Sequence, residues 1–194
     1  MQWQRVDRTL HLLREHIPDF GPEATLLKAV AVNALYSTNV YAIVRVAEHI
    51  EAVLARSNLA APGPDLVEAM ATVPASGSEK RPRRRHSFAS KFAHFFIDPE
   101  RFPILDHYAN EMVRVHIGNE GMAQNPERPY VAFVKNIEQI EAAMGAKVSR
   151  TDLDHYLLIA GQCRAFEQGH GEEIGSELRE LFETGCDELG ILAP

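Results

Sequence analysis

The chain has little cysteine: only Cys163 and Cys186, at no metal-ligand spacing, so neither a zinc site nor a disulfide framework is expected and reduced thiols are the default. Long hydrophobic runs are absent too. Nothing approaches the roughly 20 apolar residues that a membrane-crossing helix needs, and no membrane partner is expected. The first residues, MQWQRVDRTLHLLREHIPDF, space their apolar positions for an amphipathic helix and lack the unbroken apolar stretch of a signal peptide, so the cytoplasm is the expected compartment. No two alternating apolar segments flank a tight turn and no internal repeat is visible, which argues against a β-sandwich, a barrel or a solenoid. Net positive charge is also missing, and the formal charge of −7 argues against a general nucleic-acid coat.

What is present is the balance of a folded protein, with 45% hydrophobic and 24% charged residues in 194. That length suits a single domain over 1–194 with a substantial core. Charge is unevenly placed. Between Glu79 and Arg101 seven basic residues meet three acidic ones, whereas from Phe166 to the end eight carboxylates face only Arg179.

Apolar periodicity predicts an all-α fold, a compact bundle of roughly seven to nine helices. The first carries Leu10, Leu13 and Ile17 and stops at Pro18. Residues 23–55 read as two helices joined at Tyr36-Ser37-Thr38-Asn39, with Ser37 or Thr38 available as an N-cap. Residues 57–86 form a loop-rich, Pro/Gly-containing basic segment with one short helix over Asp65 to Ala71. A helix is predicted from an N-cap at Ser87 to the residue before Asp98-Pro99, and another from Asp106 to Gly118. Tyr130 to Met144 is closed by Gly145, Ser149-Arg-Thr-Asp opens a helix through Ile159, and an acidic helix is expected near 175–188. His94, His107, His116 and His155 form no metal spacing, and no cofactor is implied.

Chemistry concentrates in Ser87 to Tyr108. Lys91 is expected in the first turn of its helix, among Phe88, Phe92, Phe95 and Phe96. There the helix dipole and partial burial both disfavour the cation, and a neutral amine is a nucleophile. Asp106 is expected at the start of the next helix, where a carboxylate is electrostatically welcome. An amine and a carboxylate on adjacent helix ends can share one cleft. Phe92, Phe95 and Phe96 have helical spacing that suits a core.

Lys91 opening a helix, followed by Asp98-Pro99, Phe102-Pro103-Ile104 and Asp106-His107, resembles the catalytic region of the helix-hairpin-helix DNA glycosylases, in particular the 8-oxoguanine DNA glycosylases and their shorter bacterial relatives. The stretch from Val30 to Ile43 resembles that superfamily's helix, polar turn, helix signature, and the likeness spans about residues 25 to 160. It implies a glycosylase/AP lyase that flips an oxidised purine out of double-stranded DNA. Lys91 would then attack the sugar and Asp106 would stabilise the oxocarbenium-like state. Asn39 would sit at a turn facing DNA, and Phe88, Phe92, Tyr36 or Phe102 would stack on the flipped base. The superfamily's hairpin is glycine-rich, whereas Arg85-His-Ser-Phe-Ala-Ser contains no glycine. Arg83, Arg84 and Arg85, with Lys80 and Arg81 before them and Ser87 after, are the candidate phosphate contacts in its place. The acidic total charge and the missing glycines suit an alternative, a non-catalytic DNA- or protein-binding module on the same scaffold.

Overall fold

A computed structural model describes residues 2–75, 77, 82–145, 148–183 and 185. Among the described residues there are nine α-helices: α1 Gln2–His16, α2 Pro22–Leu35, α3 Ile43–Leu54, α4 Asp65–Ala71, α5 His86–Phe96, α6 His107–Ile117, α7 Pro129–Met144, α8 Arg150–Glu167 and α9 Ser176–Phe182. A 3-10 turn covers Gly171–Glu173. The only strands described are two-residue pieces, β1 Thr72–Val73 and β2 Arg83–Arg84, paired antiparallel with Thr72 opposite Arg84. The fold is all-α, as periodicity predicts. No described helix is long and apolar enough to cross a membrane.

Helix α5 lies at the centre. Every residue from Phe88 to Phe96 is buried, and the helix packs against α1, α2 and α4. A helix apolar on nearly all sides has to be surrounded, and its four phenylalanines supply the reason. Burying one such side chain contributes about 1.5–3 kcal/mol. Phe92 packs edge-on to Phe96 with ring centroids 5.2 Å apart, and Phe95 meets Tyr36 at 5.4 Å.

Four helix ends are fixed by local chemistry. The Asp106 carboxylate accepts the Ala109 N–H at 2.9 Å as N-cap of α6, and Ser149 caps α8 by accepting from the Asp152 N–H at 3.1 Å. Helix α7 starts with Pro129 and ends at Gly145 in the left-handed region, φ 64°. Its first amides point at Glu68 of α4, whose Oε1 accepts from the Tyr130 and Val131 N–H groups at 2.7 and 3.1 Å. The other oxygen of Glu68 lies 2.8 Å from His86 Nε2 at the start of α5. One carboxylate thus ties the starts of α5 and α7 to α4.

Several sequence expectations need correction. Helix α5 begins at His86 with Arg85 as N-cap residue, so Ser87 is not a cap and Lys91 sits in the second turn, beyond the positive end of the helix dipole. The short β pairing fixes the chain up to Arg84, and the Arg85 N–H donates to the Ala71 carbonyl at 2.9 Å, which starts the helix earlier. Two-residue strands are too short to show alternation, which is why this stretch reads as loop. Neither Ser37 nor Thr38 caps α3. Thr38 donates to the Asn33 side chain at 2.9 Å instead, and Ala42 precedes the helix. Helix α9 ends at Phe182, while 184 and 186–194 lie outside the described residues, as do Glu79, Lys80 and Arg81. Cys163 is buried and disulfide-bonded, where a reduced thiol was expected; Cys186, the other cysteine, is outside the described residues.

Helices α6 and α8 approach each other closely at Gly161. A Cβ built there would lie 2.6 Å from the Tyr108 carbonyl oxygen and 2.8 Å from Tyr108 Cβ. Glycine to alanine inside a helix ordinarily stabilises by about 0.5–1 kcal/mol. Gly161→Ala is expected to do the opposite, destabilising by about 1–3 kcal/mol because backbone must move. Denaturant titration checks the sign, and a stabilised variant would refute the close contact.

Candidate functional site

Between α5 and α6 the chain runs extended from Phe102 to Asp106, with few backbone partners of its own. Buried peptide groups need partners, and here side chains supply them. His94 Nδ1 lies 3.0 Å from the Phe102 carbonyl, an acceptor only, so this nitrogen carries the proton. Tyr130 donates its hydroxyl to the Pro103 carbonyl at 2.9 Å. The Ile104 N–H donates to Asp154 Oδ2 at 3.1 Å, and the Leu105 N–H to Ser90 Oγ at 3.1 Å. Ser90, Lys91 and His94 occupy one stripe of α5, and that stripe holds the link.

The link delivers Asp106 to Lys91. Lys91 Nζ lies 3.4 Å from Asp106 Oδ2, donates to Ser87 Oγ at 3.0 Å, and stands 5.4 Å from the centre of the Tyr36 ring. Lys91 is 4% exposed. The two oxygens of Asp106 are divided, Oδ1 capping α6 and Oδ2 facing the amine. Replacing one buried partner would strand the other charge, a loss that exceeds what the pair contributes on balance.

Lys91, Asp106 and Tyr36 line one cavity of about 410 Å³ bordered by α1, α2, α5, α6, α8 and the start of α9. Its wall also holds Asp7, His94, Asp154 and His155. Asp7 receives the Tyr36 hydroxyl on Oδ1 at 2.6 Å and faces His155 Nε2 with Oδ2 at 2.8 Å. Burial, with the neighbouring Asp7 charge, pushes the Tyr36 phenol well above its usual range. The hydrogen bond to Asp7 raises His155 above the ordinary imidazole value against a smaller opposing effect of burial. Asp154 is 5% exposed and also raised, first by burial, with His94 and the Ile104 N–H acting against it. Its Oδ1 has no hydrogen-bond partner among the described residues. Within the described residues no group of three imidazole, carboxylate or thiol side chains could hold a metal ion.

The other candidates fall elsewhere. Phe88 and Phe92 are 2% and 0% exposed, belong to the hydrophobic core and do not line the cavity; helical aromatic spacing served packing. Phe102 is likewise core. Tyr36 alone of the four aromatic candidates faces the cavity. Ser87 is half-buried inside α5 and holds Lys91. Arg83 and Arg84 are exposed on β2, Arg84 donating to the Pro126 carbonyl at 2.7 Å, while Arg85 is half-buried at the start of α5. Asn39 is exposed with φ 54° on the turn after α2, and Ser37 in the same turn has φ 48°.

Sequence reasoning missed Asp7, His94, Asp154 and His155. Asp7 carried no signal, because its partners lie 29 and 148 residues away. Asp154 lies near the start of α8, and its spacing to Leu157 and Gly161 places it on the buried face of that helix.

Because the folded His155 value is raised, the Asp7–His155 tie between α1 and α8 stabilises fully below the ordinary imidazole value of about 6.5, and this is lost as pH rises through the higher folded value. The gap in melting temperature between the native chain and His155→Gln is therefore expected to narrow from pH 6 to pH 9. A gap that widens over that range would refute the ion pair.

The family model described as HI_0787_N, N-terminal domain, matches residues 2–101, a span that includes Lys91 and stops just before Asp106. No curated protein matches the chain, and neither does any solved structure. The chain belongs to the HI_0787_N family.

Proposed function

We propose that this member of the HI_0787_N family is a DNA glycosylase with lyase activity, acting on an oxidised purine of the 8-oxoguanine type in duplex DNA. The observation that carries this reading is the Lys91–Asp106 pair, an amine and a carboxylate 3.4 Å apart in the wall of one cavity. At about 410 Å³ the cavity falls within the range of about 300–1,000 Å³ usual for small-molecule sites.

In this reaction the glycosidic bond breaks with its electron pair leaving on the base, and positive charge develops on the sugar. The Asp106 carboxylate stabilises that charge electrostatically. Lys91 Nζ, after giving up a proton, forms the new bond to C1′; opening of the sugar ring then yields an iminium linking lysine and DNA. Asp106 Oδ2 is within reach to take the lysine proton. The Tyr36 ring beside Nζ offers a face for the base, and Arg83, Arg84 and Asn39 are exposed for contact with the duplex.

A second reading is a non-catalytic DNA- or protein-binding module. It draws on the near-complete burial of Lys91 between Ser87 and Asp106, and on the net charge of −7. A duplex affinity that depends on salt but ignores both the lesion and Lys91→Gln would select it.

Borohydride reduction in the presence of duplex carrying 8-oxoguanine or an abasic site is expected to trap a covalent adduct. Lys91→Gln should abolish the adduct with helical circular dichroism retained. Asp106→Asn keeps an equally good N-cap while removing the charge, and should slow base release by about 10²–10³-fold. Trapping that survives Lys91→Gln would sink the assignment of the nucleophile.

A further inference from the structure

A second cavity, of about 660 Å³, lies on the far side of Tyr108 between α6 and α8. Tyr108 lines both cavities, and His107, in the wall of the second, directly follows Asp106. On α6, His107, Glu111 and Arg114 follow one helical stripe, and Arg164 and Gln168 form the facing stripe near the end of α8, with His170 just beyond. Gly161 lets the two helices approach at the floor of this groove.

The lining carries two arginines against one carboxylate, in a chain whose total charge is negative. Glu111 is already engaged by Arg114 at 2.6 Å. Arg164 is exposed and has no side-chain hydrogen bond or ion pair among the described residues. His107 and His170 are exposed as well, and a neutral imidazole still offers one N–H donor. Guanidinium forks and imidazole N–H groups along an open groove match the oxygens of successive phosphates.

We propose that this α6–α8 groove seats the phosphodiester backbone next to the nucleotide that enters the Lys91–Asp106 cavity, with Arg164 as its principal phosphate contact. The identity of the ligand rests on the glycosylase reading above; the groove and its charge do not. Backbone seating by side chains on α6 and α8 also gives this chain a phosphate contact that needs no glycine-rich hairpin.

The test is duplex binding as a function of salt, by the full chain and by Arg164→Ala and Arg164→Lys, with borohydride trapping on abasic duplex run in parallel. Each phosphate contact contributes about 0.9 to the slope of log K against log salt. Arg164→Ala should weaken binding and lower that slope by about 0.9 at unchanged melting temperature, and Arg164→Lys should restore most of the slope. Trapping by both native chain and Arg164→Ala at saturating DNA, with identical salt slopes, overturns the groove and leaves the glycosylase reading intact. A native chain that never traps, yet shows an Arg164-dependent slope, overturns the glycosylase reading and supports the groove. Absence of duplex binding at low salt overturns the groove outright.

Discussion

The structure depends on α5 being buried on nearly every side while still carrying three polar residues. Ser90, Lys91 and His94 are all buried, and an unpaired polar group at such a position costs on the order of 1–3 kcal/mol. Each finds its partner in the same place, the extended link from Phe102 to Asp106. That link in turn has backbone groups that only side chains can satisfy. The two needs are met together, and the consequence is a carboxylate held against an amine at the edge of a cavity.

A second layer fixes that arrangement. Asp154 holds Ile104, Tyr130 holds Pro103, and Glu68 holds the starts of α5 and α7. Asp7 gathers Tyr36 and His155, so that α1, the end of α2 and α8 close around the cavity. Supporting hydrogen bonds of this kind are what a site needs to hold its geometry within a fraction of an ångström. The cavity is therefore built from six separate stretches of chain, though Lys91 and Asp106 are only 15 residues apart.

That difference explains what could be read in the sequence. The helices were legible because each has either a local cap or a clear apolar stripe: Asp106, Ser149 and Gly145 mark ends that depend on neighbours within four residues. The Lys91–Asp106 pair was legible for the same reason, being joined by a short link with prolines. Burial of Phe88 and Phe92 was not separable from base stacking, since both call for the same residue at the same spacing. Asp7 was invisible, because nothing local distinguishes a surface aspartate on an amphipathic helix from one that two distant helices will grip. The two-residue shift at the start of α5 came from the β1–β2 pairing, a long-range constraint that local propensity does not encode.

The proposed reaction requires one particular amine, Lys91 Nζ, to bond to a sugar carbon. Its most direct test is peptide mapping by mass spectrometry of the borohydride-reduced adduct with lesion-bearing duplex. The account predicts a single modified peptide containing Lys91. Modification at the N-terminal amine or at Lys28, or no adduct with any oxidised purine or abasic site, would contradict it.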